Sequence, residues 1–124
     1  MTTPDLDGDR QRYAPFVPTL EAFARERGLT LSYDSGDHAW GEAHYQLGWV
    51  NAHSQMCFLY FNRDSGDEFH LHLLRWGLHS LAGRRDWDIR ADEHAAEALR
   101  AILEEAVAWA DEPTRGSPAD GPAA

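Results

Sequence analysis

Chemistry in this chain would have to come from histidines and carboxylates. Glu68, His70 and His72 alternate along one stretch, and that spacing puts all three on one face of a strand. Same-face neighbours on a strand stand roughly 6.5–7 Å apart, so two adjacent imidazoles reach one ion only through adapted rotamers. His44 belongs to another strand two spacings away, nearly 10 Å from His70, which is too far for an easy shared site. Because His38 and His53 fall in turns and His79 in a loop, no metal is expected. Glu68 or Glu42 with His70 or His44 could in principle do acid–base work, but any sheet with scattered His and Glu offers as much.

Covalent catalysis has less support still. The lone cysteine, Cys57, falls at a central apolar position where a thiol serves as packing. His79 and Ser80 are sequence neighbours, which is not how a base meets its nucleophile. Gly-rich phosphate loops, G-x-S-x-G, H-E-x-x-H and paired C-x-x-C motifs are all absent from the sequence. The expectation is therefore no catalytic residue and no cofactor. One basic spot, GRRDW at 83–87, could hold an anion or a partner carboxylate, but it reads first as loop arginines paired with Asp86 and Asp88, with Trp87 in the core.

Composition narrows the partners. The 124 residues hold 21 acids against 11 bases, a net charge of −10, and every fixed base is an arginine. Arginine in place of lysine reads as a GC-rich, bacterial-type genome. Residues 15–110 alone carry 15 acids and 8 arginines, so the folded part is about −7. Such a field repels nucleic acid and anionic membrane and favours basic proteins. A single cysteine allows no internal disulfide, the opening MTTPDLDGDRQRYA lacks an apolar core, and no run of about twenty apolar residues occurs. These features together lead to the expectation of a cytoplasmic protein.

The elements that must position these residues follow from periodicity. Residues 1–14 read as a flexible lead, 15–110 as one domain, and 111–124, rich in Pro, Gly and Ala, as a disordered tail. A first helix is expected over Pro18–Arg27, stopped by Gly28. A last helix is expected after an Asp92 cap, with an apolar stripe of Ala95, Ala96, Leu99, Ile102, Leu103, Ala106 and Ala110. Between them the period becomes two. Strands are predicted over 29–33, 39–50, 56–62 and 67–76, with a short fifth at 86–90, and NRDSGDE as a hairpin loop. The fold class is α+β: helix, antiparallel meander of four to five strands, helix, with both helices on one face of the sheet.

Registers follow from requiring one apolar face. Phe61 is placed opposite Phe69 and Tyr45, and Tyr33 opposite Ala39. The core face then reads Leu29, Leu31, Tyr33, Tyr45, Leu47, Trp49, Cys57, Leu59, Phe61, Phe69, Leu71 and Leu73. Leu74 and Trp76 break phase, and a bulge is expected to return them to the core. The other face carries the rows Gln46–Tyr60–His70, Gly48–Phe58–His72 and His44–Asn62–Glu68, with Trp40 and Glu42 further along. Aromatics among amides and imidazoles on a wet face suit recognition. The expected partner-binding set is Trp40, Glu42, His44, Gln46, Phe58, Tyr60, Glu68, His70 and His72. Three function classes follow: a non-enzymatic acidic module, such as an immunity-type inhibitor of a basic toxin or enzyme; a small-ligand binder or small enzyme with a pocket between sheet and helices; and a homodimerising adaptor.

Overall fold

Apolar side chains recurring at every second residue from Leu29 to Leu73 can share one side of an antiparallel sheet, and two short amphipathic helices suffice to cover it. The computed structural model, which describes residues 11–34 and 44–113, has that architecture. The order is α1 (Val17–Arg27), β1 (Thr30–Asp34), β2 (His44–Val50), β3 (Met56–Ser65), β4 (Glu68–Trp76), β5 (Leu81–Arg90) and α2 (Ala95–Ala110). The strands form a five-stranded antiparallel meander in sequence order. No helix among the described residues is long and apolar enough to cross a membrane.

The helices begin and end for local reasons. Pro18 sits in the first turn of α1, where its missing N–H is not needed, and Gly28 ends the helix in the left-handed region at φ 70°. Asp92 is not the cap of α2: the N-cap position is His94, whose side chain makes no capping bond. Asp92 forms the turn before it, its Oδ1 accepting from the His94 N–H at 2.8 Å and its carbonyl from the Ala95 N–H at 3.0 Å. Ala95, Leu99, Leu103, Ala106 and Ala110 then form the buried stripe, with Ile102 at its edge. Leu20, Phe23 and Ala24 do the same for α1.

The β2–β3 register is the expected one, with Tyr45 opposite Phe61, Leu47 opposite Leu59 and Trp49 opposite Cys57. Two others differ. Tyr33 lies opposite Tyr45 and Leu31 opposite Leu47, not opposite Ala39 and Gly41. Large side chains thus meet across the pair, the Tyr33 and Tyr45 rings 4.8 Å apart; residues 39–43 lie outside the described residues. In the β3–β4 hairpin Phe61 faces Leu71, not Phe69, and Leu59 faces Leu73. The strands run through most of the expected loop, as far as Ser65 and Glu68, leaving Gly66 (φ 54°) and Asp67 to turn the chain. An irregularity between Arg63 and Ser65 completes a slip of two residues. Since side chains alternate with period two, an even slip moves every pair and changes no face.

The expected return of Leu74 and Trp76 to the core does not occur. The alternation continues unbroken, so Leu74 and Trp76 point away from the helices and Arg75 takes the core position at 1 % exposure. A bulge does sit there, between Arg75 and Trp76 against β5, without reversing the phase. The reason is the C-terminal end of α2, whose carbonyls need donors. Arg75 donates to the carbonyls of Trp109 (3.0 Å) and Glu112 (2.7 Å) and to Gln55 Oε1, and lies over the Trp109 ring. Asn51, also buried, donates to the Ala110 carbonyl at 2.6 Å.

Two further differences concern the ends of the sheet. Tyr13, assigned by sequence to the lead, is 1 % exposed and packs edge-on against Tyr45, Phe61 and Phe69. Its hydroxyl accepts from the Arg63 N–H at 2.9 Å. The GRRDW segment is strand rather than loop, since β5 begins at Leu81. Arg85 turns to the helix side and bonds Glu105, Trp87 packs partly buried against the core, and Arg84 turns to the open side.

Candidate functional site

The helix-free face of the sheet brings most of the candidate residues together. Trp40 and Glu42 lie outside the described residues. With the registers above, the rows across β2 to β5 read His44–Asn62–His70–Asp88, Gln46–Tyr60–His72–Asp86 and Gly48–Phe58–Leu74–Arg84. His70 and His72 thus each stand one row from where the sequence reading put them, and Glu68 moves beyond His44 to pair with Arg90 at 2.9 Å. His44 meets Tyr60 at 5.8 Å between ring centres, Tyr60 stacks on His72 at 5.1 Å, and His72 lies 5.8 Å from His70. Phe58 extends the series at 6.4 Å from Tyr60. Gln46 flanks Tyr60 on β2.

The two central histidines have opposite environments. His70 is held between two carboxylates: Nδ1 is 2.9 Å from Asp88 Oδ1, and Nε2 is 2.8 Å from Asp86 Oδ2. Ionised carboxylates only accept, so this geometry favours the imidazolium form of His70, in which both ring nitrogens donate. Burial opposes this charge, but the Asp88 and Asp86 bonds outweigh it and raise the pKa above the ordinary histidine value. Asp86 in turn is held down to about 2, chiefly by a two-pronged bond from Arg84, with His70 adding to it. With His70 protonated, Arg84, Asp86, His70 and Asp88 form a balanced chain of two cations and two anions along β4 and β5.

His72 is driven the other way. Burial comes first in lowering its pKa, Arg84 and the other imidazoles add to it, and Nδ1 is enclosed without a hydrogen-bond partner among the described residues. A second proton there would place a charge in a half-apolar stack. Burial likewise raises the Tyr60 hydroxyl. The face is thus neutral and aromatic at its centre and ionic along its β5 side.

As for other chemistry, among the described residues no group of three His, Cys, Asp or Glu is placed to hold a metal ion. Cys57 is buried and free, its thiol pushed up to about 11 mainly by desolvation, which leaves it a poor nucleophile. Between sheet and helices the buried polar residues described are Asn51 and Arg75, both spent on the end of α2.

Sequence reasoning missed an apolar row beside the aromatic one. Val50, Met56, Trp76 and Leu81 are cross-strand partners in succession, and all four are exposed. The signal was present: taking the alternation after Leu73 at face value puts Leu74 and Trp76 on this side. The expected fifth strand at 86–90 already held Asp86 and Asp88, but only the β4–β5 register sets them beside His70. No family model, curated protein or solved structure matches this chain.

Proposed function

We propose that this chain is a non-enzymatic protein-binding module that docks a basic protein partner on the helix-free face of its sheet, in the manner of an immunity-type inhibitor covering a toxin or enzyme. The observation that carries the reading is the continuous series Phe58–Tyr60–His72–His70 with His44, half-exposed among the described residues beside the ion-paired carboxylates Asp88 and Glu68. Flat, stiff rings lose little entropy on being covered. The chain's net charge of −10 speeds encounter with a basic surface.

A small-ligand site between sheet and helices has less behind it, because the buried amide and guanidinium described there, Asn51 and Arg75, are engaged with the end of α2. Among the described residues, the indole Nε1 of Trp87 is a lone donor beside the core. Affinity capture from the source cells at two salt concentrations tests the proposal, with the wild type and the Tyr60→Ala and His72→Ala variants as baits. One stoichiometric basic partner, weakened by salt and lost from both variants, is the expected result. A partner held equally by all three baits removes the face from the reading, and the absence of any protein partner removes the reading itself.

A further inference from the structure

Val50, Met56, Trp76, Leu81 and Leu78 are the large apolar residues left exposed among those described, at 59, 46, 39, 44 and 90 %. They do not scatter. Four form one row across β2, β3, β4 and β5, and Leu78 lies in the loop joining the last two strands. These exposures amount to roughly 500 Å² of apolar side chain, the upper end of what a monomer leaves bare. The next row, Phe58 and Leu74 beside Gly48, joins this patch to Tyr60 and His72. At the far end of the same strands lie Asp64, Glu68 and Asp88, with Arg90 bonded to Glu68, around an open hollow of about 370 Å³.

We propose, resting on the reading above, that the apolar row is the anchoring half of the docking face, and that its occupant is a helical segment of a partner protein with an apolar ridge at one end and lysine or arginine at the other. Rows on one face repeat every 6.5–7 Å, so three steps from Trp76 to His70 and Asp88 cover about 20 Å. A helix of about 13 residues spans that distance. Three carboxylates against Arg90 around the hollow select the polarity: apolar side chains over Trp76 and Leu81, cationic ones toward Asp64, Glu68 and Asp88.

A second copy of the chain fits less well. Face-to-face pairing over the apolar rows alone buries only about 1,000 Å² in total, near the floor for a stable interface. It also brings together two chains of −10 each. A basic partner gains from the charge that two copies must overcome.

The test uses the full chain and a synthetic helical peptide of about 16 residues, with leucines in its first half and lysines in its second, and a control carrying glutamate for lysine. Binding is followed by amide NMR shifts and titration calorimetry, and oligomeric state by sedimentation. The expected result is a monomer that binds the lysine peptide and not the control, with shifts at Val50, Met56 and Trp76. Binding should weaken at least tenfold in Val50→Glu and in Leu81→Glu, exposed positions whose substitution leaves the core intact. Lysine-peptide binding that both variants retain overturns the inference and leaves the aromatic face as the docking site. Failure of the peptide to bind also overturns it, while capture by the Tyr60 and His72 baits decides the underlying reading separately. A concentration-dependent dimer protected along the row assigns the surface to a second copy and overturns it as well.

Discussion

Replacing Arg75 with methionine keeps most of the volume of a fully buried side chain and removes its charge and donors. Four hydrogen bonds vanish: Nε and an Nη to Gln55 Oε1 at 3.1 and 2.9 Å, and one each to the carbonyls of Trp109 at 3.0 Å and Glu112 at 2.7 Å. Gln55 Oε1 keeps the Asn51 amide as donor at 2.8 Å, so its loss is partial. The Trp109 carbonyl keeps the Glu112 N–H as donor at 3.1 Å, so the carbonyl of Glu112, just past α2, is the one left without its donor, at about 1–3 kcal/mol. Stacking over Trp109, 5.0 Å from the guanidinium, goes as well. Against this stands the desolvation that the arginine itself no longer incurs. The net expectation is a loss of about 2–3 kcal/mol, a large part of the stability of a domain this size. Urea unfolding followed by tryptophan fluorescence should move its midpoint down by about 1 M at an unchanged slope. Arg75→Lys should recover little, because an ammonium cannot reproduce the planar fork. A loss below about 1 kcal/mol in the methionine variant would refute the claim that Arg75 occupies the core in order to close the helix.

Three other outcomes are expected. His70 should titrate above the ordinary histidine value and His72 below it by imidazole NMR, and Asp88→Asn should bring the His70 midpoint down; a common midpoint for both rings would contradict the clamp. By linkage, the raised His70 contributes stability that is present below the unfolded value and lost as pH rises through its folded pKa. The lowered His72 contributes stability that is present above the unfolded value and lost as pH falls through its folded pKa, so their joint contribution peaks near pH ~6.5. Tyr13→Phe should cost about 1 kcal/mol for the bond to the Arg63 N–H, and Tyr13→Ala about 3–5 kcal/mol, both read from thermal unfolding; a neutral alanine variant would place Tyr13 outside the core. Cys57 should resist a disulfide-exchange reagent at pH 8 in the native protein and react promptly in urea, whereas rapid native labelling would show the thiol to be accessible.

Alternation alone determined which face each residue of β2, β3 and β4 presents, because the faces of a strand have period two and an even slip in pairing leaves them unchanged. The aromatic and imidazole set His44, Phe58, Tyr60, His70 and His72 could therefore be assigned to one side from sequence, although the rows could not. Rows depend on where the chain turns, and nothing in NRDSGDE distinguishes a seven-residue loop from a two-residue turn at Gly66 and Asp67 until the strands are paired. The boundaries of α1 were likewise local, set by Pro18 and Gly28, whereas the N-cap of α2 falls at His94, two residues beyond the expected Asp92 cap.

Tertiary structure decided everything that rests on a distant partner. Hydrophobicity argued for folding Leu74 and Trp76 inward, but the carbonyls at the end of α2, more than thirty residues later, required Arg75 there instead. That choice exposed Trp76 and completed the apolar row with Val50, Met56 and Leu81, none of which are sequence neighbours. Asp86 and Asp88 could clamp His70 only because the β4–β5 register sets them beside it. A side chain's face is a property of its own strand, whereas its charge state and exposure belong to whatever the fold packs against it.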